Sequence, residues 1–264
     1  MVFRVGIVQM KSVAGKEKDN LGRVLAKMKV LTALGVDLIV LPPLWATGFA
    51  FDSLNLLAPK ALEFHAPLAR FARENGTMIV HSLWKKTVNG YMQGYWLIEK
   101  TGETCYAPSK VHLNPTLKED VFLMPGKELA VIDTPLTKLA IVSEADALKP
   151  NVIEDVCGHY AKMLIVEALC DSSAEGVLEA VLKARAIENQ VFVVAAKHLG
   201  EYGDYKFLGG SHILDPFGQE IAKASKRDDF IHAEVNTDHV YRARRKVRLQ
   251  SVPYTVVEVG SHGA

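Results

Sequence analysis

Short apolar runs rich in β-branched residues recur along the chain and predict β-strands. They read FRVGIVQM, VDLIVLP, GTMIVHSLW, GYWLIEK, KLAIVSE, KMLIVEAL, QVFVVAAKH, SHILDP and FIHAEV. Their length of about four to eight residues and the Gly or Pro residues at their boundaries are typical of strands rather than helices. Runs such as DLIVLP and VFVVAA are apolar at every position, which indicates strands buried on both faces of a sheet.

Three segments between these runs carry the three- and four-residue apolar spacing of amphipathic helices. Residues 16–35 end at Gly35, which suits a helix C-cap, and residues 62–76 and 175–190 have the same spacing. Pro67 lies inside the second segment. Because an internal proline removes a backbone hydrogen bond, we expect the regular part of that helix to begin near Pro67.

The order of these elements predicts the fold class. Two β-α-β-α-β series occur, each followed by further strands, and no Ser/Gly-rich linker divides them. This order is typical of two related halves of one mixed α/β system, so we expect a single domain over residues 1–264. Strands buried on both faces need helices on one side and another sheet on the other. The sequence therefore predicts two sheets packed face to face, with helices outside.

Composition narrows the class of protein. Of the 264 residues, 31 are Lys or Arg and 30 are Asp or Glu, and the net charge of +1 provides no electrostatic reason to expect a nucleic acid or membrane partner. No apolar run approaches the ~20 residues of a membrane span, and the N-terminal stretch is too short for a signal peptide. We therefore expect a cytoplasmic protein.

The cysteines indicate neither disulfides nor a metal site. There are three, Cys105, Cys157 and Cys170, and they match no CxxC or zinc-ligand spacing. We expect all three to be buried, reduced thiols.

Six segments at the ends of predicted strands and helices carry polar residues in a fixed order. They are LPPLWATGF at 41–49, KVHL at 110–113, EDVFLMPG at 119–126, SEADALKP at 143–150, KARAIENQVFVVAA at 183–196 and GGSHILDPFGQ at 209–219. Together they resemble the motifs of the nitrilase superfamily of carbon–nitrogen hydrolases over nearly the whole chain.

The resemblance implies a four-layer α-β-β-α sandwich with two pseudo-symmetric halves, assembled as a homodimer or higher homo-oligomer. It also implies catalysis without a metal or organic cofactor. In the superfamily a cysteine thiolate attacks, a glutamate transfers the proton and a lysine stabilises the oxyanion. Lys110 matches that lysine, and Glu119 matches a second glutamate that precedes the Pro-Gly element.

Two positions depart from the superfamily pattern. Alignment on Asp146 and Pro150 puts Glu144 at the nucleophile position, and a one-residue slip to Ser143 breaks both landmarks. Pro43 stands at the general-base position. A carboxylate is a poor nucleophile toward an amide, because the anhydride that it would form is less stable than a thioester.

The remaining charges predict a buried ion pair between Lys110 and Glu144, extended by Glu119. The resemblance adds four residues to the ligand pocket. Trp45 follows the Pro43 position, and Lys197 takes the place of an asparagine and adds positive charge. His112 is interpreted as a hydrogen-bonded structural histidine and Asp146 as a helix N-cap before Ala147.

Three functions are compatible with this sequence. The first is a protein without ordinary amidase or nitrilase turnover that binds a small molecule or a protein partner. The second is a carbon–nitrogen hydrolase, of amidase or carbamoylase type, in which Glu144 and Glu119 act as an acid/base pair beside Lys110. The third is a conventional amidase that uses Cys170 or Ser143. The departures at Pro43 and Glu144 favour the first.

Overall fold

The computed structural model describes residues 1–107 and 109–247, in which strands and helices alternate. The strands are β1 Val2–Gln9, β2 Leu38–Val40, β3 Met78–Thr87, β4 Gly90–Ile98, β5 Thr104–Ala107, β6 Val131–Asp133, β7 Lys138–Ser143, β8 Met163–Ala168, β9 Phe192–Lys197, β10 Leu199–Tyr202, β11 Tyr205–Leu208, β12 His212–Leu214, β13 Glu220–Lys223 and β14 Asp229–Asn236. The α-helices are α1 Glu17–Ala33, α2 Leu54–Leu57, α3 Ala61–Asn75, α4 Glu119–Phe122, α5 Glu144–Ala147, α6 Pro150–Gly158, α7 Glu175–Asn189 and α8 Asp238–Lys246. Residues 248–264, which the single-domain prediction includes, lie outside the described residues.

Two six-stranded sheets form the centre of the fold. Their strand orders are β14-β1-β2-β3-β4-β5 and β13-β12-β9-β8-β7-β6. In the first sheet β1, β2 and β3 are parallel, and in the second sheet β7, β8 and β9 are parallel. Antiparallel strands flank each parallel set on both sides. The two sheets thus repeat one pattern, as the predicted pseudo-symmetric halves require.

Apolar side chains separate the structure into four layers. Alternate residues of the parallel strands, such as Val5 and Val80 of one sheet and Ile141 and Ile165 of the other, form a single core between the sheets. The opposite face of the first sheet packs against α1 and α3, and that of the second packs against α6 and α7. The predicted α-β-β-α sandwich is confirmed.

The predicted beginning of α3 is wrong. The helix starts at Ala61 and continues through Pro67 to Asn75. The proline ring removes the hydrogen bond to the carbonyl of residue 63. Phe64 and Leu68, however, bury their side chains against the first sheet, and this packing keeps the turn helical. The predicted C-cap of α3 at Gly76 is confirmed, with a φ angle of 62°, whereas the C-cap of α1 is Leu34 and Gly35, with a φ angle of 75°, follows it.

All three cysteines are free, as expected, but the prediction that all are buried is wrong. Cys105 is exposed on β5, an edge strand of the first sheet, whereas Cys157 is buried and Cys170 is partly buried. Within the described residues no helix is long and apolar enough to cross a membrane.

Candidate active site

Lys110 is held by backbone contacts from two neighbouring segments. Its N–H donates to the carbonyl oxygen of Gln93 on β4 at 3.2 Å, and its own carbonyl accepts from the N–H of Gly126 at 2.7 Å. A Cβ atom at Gly126 would overlap the backbone of Ser109. The Pro-Gly element therefore allows two backbone segments to approach closely, and this approach fixes the base of the lysine side chain.

The side chain of Lys110 lies between two carboxylates. Its Nζ is 2.8 Å from Oε2 of Glu119 and 2.9 Å from Oε1 of Glu144. The exposed fractions of the three side chains are 1% for Lys110, 0% for Glu119 and 4% for Glu144. The predicted ion pair is present, and Glu119 extends it. We call Lys110, Glu119 and Glu144 the ion triad.

Backbone donors hold the outer oxygens of both carboxylates. The N–H of Asn114 donates to Oε2 of Glu119 at 2.6 Å, and the N–H of Leu169 donates to Oε2 of Glu144 at 3.2 Å. Glu144 begins α5 directly after β7, and Leu169 directly follows β8. The triad therefore lies at the carboxyl ends of two neighbouring parallel strands, where α/β sheets bind ligands.

Burial and charge act in opposite directions on these groups. Burial by itself would lower the pKa of Lys110, but Glu144 and Glu119 raise that pKa above its ordinary value, so the ammonium form is favoured. Burial raises the pKa of Glu119, and Lys110 partly offsets this effect. The triad contains one buried cation and two carboxyl groups, so a single positive charge faces two potential negative charges. An additional proton or a hydrogen-bond donor near the carboxyl groups would therefore stabilise the site.

Asp146, on α5, connects this helix to residues 110–114, which we call the triad loop. Its Oδ1 accepts from the backbone N–H of His112 and pairs with Nδ1 of the same residue, both at 2.8 Å. Its Oδ2 accepts from the hydroxyl of Ser143 at 2.7 Å, while Ser143 accepts from the N–H of Asp146 at 3.0 Å. The N-cap of α5 is thus Ser143, and the prediction that Asp146 is the N-cap is wrong. Asp146 is the third helical residue of a capping box.

The contacts of Pro43 and Trp45 are with residues outside the ion triad. The carbonyl oxygen of Pro43 pairs with Nδ1 of His198 at 2.9 Å. The buried ring of Trp45 packs edge-on against Phe64 and His81, in the core between the first sheet and its helices. The described contacts place Trp45 in this core, and its predicted role in the ligand pocket stays a prediction.

Lys197 is buried at the end of β9, and its Nζ lies 3.4 Å from Oε1 of Glu179 on α7. Its charge therefore has a partner outside the ion triad. The structure brings Lys110, Glu119 and Glu144 together and places Asp146 and His112 beside them, whereas Lys197 forms a separate pair.

The alternative nucleophiles are poorly placed for attack. The hydroxyl of Ser143 is engaged on both sides by Asp146. Burial raises the pKa of Cys170 to about 12, and Glu144 adds to that rise. A thiol with such a pKa is almost entirely protonated at neutral pH, and the thiolate is the reactive form.

One polar group in this region was missed by the sequence analysis. Glu167, on β8, is fully buried, and residue pairing in the sheet sets it beside Ser143. A single carboxyl in the otherwise apolar run MLIVEAL was the feature that could have identified it.

A cavity of about 530 Å³ is lined in part by Leu117 and Lys118, which directly precede Glu119 in the chain. Lys118 and Asp52 contribute to its wall, and aromatic side chains form much of the rest. The aromatic residues are Phe49, Phe51, Phe122, Tyr202 and Tyr205. Among the described residues, no group of three or more His, Cys, Asp or Glu side chains is arranged to hold a metal ion.

Comparisons with known proteins identify the family and support the fold. The family model for carbon–nitrogen hydrolases matches residues 4–245. The 2-oxoglutaramate amidase of Bacillus subtilis (strain 168) is 27% identical over 94% of this chain and 96% of its own length. The omega-amidase of Danio rerio is 22% identical over 93% of this chain and 92% of its own. The crystal structure of a carbon–nitrogen hydrolase from Helicobacter pylori G27 superimposes with a TM-score of 0.87 at 20% identity, over 93% of each chain.

Proposed function

Because the chain belongs to the carbon–nitrogen hydrolase family, we propose that it hydrolyses a small amide at the ion triad. The observation that carries this proposal is the Lys110 ammonium group, fixed within 2.9 Å of Glu119 and Glu144. A fixed cation stabilises the oxyanion that forms when an amide carbonyl is attacked. The two curated relatives described above are amidases, which supports turnover over binding alone.

The proposed nucleophile is water. Alignment on Asp146 and Pro150 puts Glu144 where the superfamily has its cysteine, and a carboxylate is a weak nucleophile toward amides. As a general base, Glu144 has only to accept a proton, which carboxylates do well in a buried site. Glu119 then acts as a positioning residue, because it fixes the Nζ of Lys110 from the opposite side.

The reaction is balanced as a simple hydrolysis. Glu144 takes a proton from water while the water oxygen bonds to the amide carbon. Lys110 stabilises the resulting oxyanion, and the carbon–nitrogen bond breaks as the nitrogen takes up one proton. That proton balances the one that Glu144 removed from water, so the site has gained or lost no proton after turnover. The products are a carboxylic acid and ammonia or an amine.

A second candidate function is ligand binding without turnover. It is favoured by the contacts of Glu144, since Oε1 is bound to Lys110 and Oε2 to the N–H of Leu169. Both carboxylate oxygens of Glu144 already accept hydrogen bonds, so one of these bonds must break before Glu144 can accept a proton from water. If neither bond breaks, the site binds amides without hydrolysing them.

The test is ammonia release from a panel of small aliphatic amides, ω-amides, carbamoyl amines and nitriles. Hydrolysis predicts ammonia from at least one amide, with a rate that alkylation by iodoacetamide does not change. Loss of the rate on alkylation would revive the Cys170 interpretation. Absence of ammonia from the whole panel would contradict hydrolysis and favour binding alone.

A reversion variant provides the control for an intact pocket. Pro43→Glu combined with Glu144→Cys restores the superfamily residues at both departing positions. Ammonia release by this double variant, together with none by the wild type, would identify a silenced site. The expected homodimer or higher homo-oligomer and the cytoplasmic location stay predictions.

A further inference from the structure

Glu167 lies on the face of β8 that points toward the other sheet. Met163 and Ile165 of the same strand belong to the core between the sheets, and every second residue of a strand shares a face. The side chain of Glu167 therefore enters the space between the sheets at the carboxyl end of β8. Glu167 pairs in register with Ser143, whose next neighbour in sequence is Glu144.

The first sheet presents polar side chains to the same space. Ser82 and Trp84 on β3 pair in register with Tyr95 and Gln93 on β4. The N–H of Leu44 and Nε2 of Gln93 donate to the hydroxyl of Ser82, at 3.4 Å and 3.3 Å. The backbone carbonyl oxygen of Gln93 also accepts from the N–H of Lys110, which connects these residues to the ion triad. We call Ser82, Trp84, Gln93 and Tyr95, together with Glu167, the floor of the site.

Several atoms of this floor lack hydrogen-bond partners within the described part of the chain. They are Oε1 and Oε2 of Glu167, the hydroxyl of Tyr95, Oε1 of Gln93 and Nε1 of Trp84. Unpaired polar atoms cost free energy in a protein interior, and natural proteins commonly satisfy them with buried water. The floor thus contains donors and acceptors suited to water or a small polar group.

The charge around Glu167 is predominantly negative. The hydroxyl of Tyr95, on the first sheet, lies within electrostatic range of four carboxyl groups, those of Glu167, Glu144, Glu119 and Asp146. Lys110 is engaged by Glu119 and Glu144, and Lys197 by Glu179, so neither of these two buried cations of the described chain is free to compensate Glu167. Burial raises the pKa of Glu167 to about 8, and Glu144 adds to that rise. The Ser82 hydroxyl is near enough to oppose the rise, although it does not meet the geometry of a hydrogen bond to either carboxylate oxygen. A carboxyl in such surroundings keeps its proton at neutral pH.

We propose that Glu167 is the acid partner of Glu144, the buried carboxyl that donates a proton to the leaving nitrogen. This inference rests on the proposed hydrolysis of a small amide. Two carboxyl groups in different environments divide the work of acid and base, with the ionised group accepting the proton and the neutral group donating it. In this chain Glu144, hydrogen-bonded to the Lys110 ammonium group, takes the accepting role, and Glu167 takes the donating role.

The proton transfers balance over one turnover. Glu144 gains a proton from the attacking water, and Glu167 loses its proton to the nitrogen as the carbon–nitrogen bond breaks. The proton on Glu144 then passes to Glu167, and the starting state is restored. No oxidant, reductant or metal takes part.

The first measurement is the protonation of Glu167 itself. We would label the protein with glutamate enriched in carbon-13 at the side-chain carboxyl, assign the Glu167 resonance by its loss in Glu167→Gln, and titrate it from pH 4 to pH 10. A midpoint near 8 is expected. A midpoint near the ordinary value of 4.5 would overturn the inference, because Glu167 would then carry no proton at neutral pH.

The second measurement is the pH profile of amide hydrolysis. In the wild type kcat should fall above pH 8, and Glu167→Gln should lower kcat by about 100-fold and abolish this alkaline decline. Glu167→Asp, which keeps a carboxyl, should restore part of the rate. The control is Glu154→Gln, an exposed carboxyl on α6, which should match the wild type.

The outcomes separate this inference from the proposed function. If the wild type releases ammonia and Glu167→Gln keeps its rate and pH profile, the acid role of Glu167 is overturned and hydrolysis stands. If the wild type releases no ammonia, hydrolysis fails and the acid role fails with it. In that case the carbon-13 titration still decides whether Glu167 is a neutral buried acid.

Discussion

The ammonium nitrogen of Lys110 lies 2.9 Å from Oε1 of Glu144, and both side chains are withdrawn from solvent. A buried ion pair adds little net stability compared with apolar packing, but loss of one partner leaves a buried, uncompensated charge. Lys110 also forms an ion pair with Glu119, so substitution of Lys110 leaves two carboxylates without their cation. This relationship makes the site sensitive to substitution even when no substrate is bound.

Lys110→Met should lower the free energy of unfolding at pH 7 by about 3–5 kcal/mol, because Glu119 and Glu144 lose their cation. Urea denaturation at pH 7 and pH 5 measures this loss. The difference from the wild type should narrow at pH 5, where the carboxyls of the variant take up protons. The control is Lys100→Met, whose partly exposed pair with Asp37 predicts a loss below about 1 kcal/mol. Equal losses in the two variants would contradict the account.

Asp146→Ala should lower the free energy of unfolding by about 2–4 kcal/mol, since Ser143 and His112 both lose a buried acceptor. Thermal and urea denaturation check this value. Asp238→Ala removes an exposed carboxylate of α8 that is near the N-terminal amine, and it should cost less than about 1 kcal/mol. A loss that small for Asp146→Ala would mean that the capping box does not hold the triad loop.

Brief alkylation of the native protein with iodoacetamide at pH 8 should modify Cys105, which is exposed, and leave the other two thiols free. Burial raises the pKa of both Cys157 and Cys170 to about 12, so few thiolates are present at that pH. Peptide mass spectrometry identifies the modified residues. Rapid alkylation of Cys170, with loss of any amide turnover, would favour the conventional cysteine mechanism.

The stability of the wild type should depend on the ionisation of Glu167. Its carboxyl has an ordinary pKa of 4.5 and a pKa of about 8 in the folded protein, so between these values the folded state binds more protons than the unfolded state. The stabilising contribution is complete below pH 4.5 and is lost as the pH rises toward 8, with a slope of up to ~1.4 kcal/mol per pH unit.

Glu167→Gln has no carboxyl at this position and should lack that slope. Unfolding free energies from pH 4.5 to pH 9 compare the two proteins, with Glu154→Gln as the control for an exposed carboxyl. The wild type and Glu167→Gln should be most alike at low pH and diverge as the pH rises, with Glu167→Gln the more stable. Parallel curves would show that Glu167 ionises normally in the folded state.

The hydrophobic pattern was sufficient for the layers of the fold because buried parallel strands and amphipathic helices have strong periodicity. It failed at Pro67, where packing of Phe64 and Leu68 outweighs one missing hydrogen bond. The short strands β5, β6, β10, β11 and β13 were missed, since three or four residues carry little periodic information.

The ion triad could be predicted only through the superfamily motifs. Residues 110, 119 and 144 lie in separate segments, and no local spacing brings them together. Glu167 was missed for a related reason: its importance depends on Ser82 and Tyr95, which the other sheet supplies. A single buried carboxyl in a strand is visible in a sequence, but its neighbours are set by the packing of the two sheets.

The most direct test of amide hydrolysis at the ion triad is the rate of ammonia release from the best small amide by the wild type and by Glu144→Gln at pH 7. Glutamine preserves the size of the side chain but does not accept a proton from water. We expect the wild type to release ammonia and Glu144→Gln to release it at a rate lower by about 100-fold or more. The rate of Glu154→Gln should equal that of the wild type. Equal rates in the wild type and Glu144→Gln, or no release by either, would contradict amide hydrolysis at the ion triad.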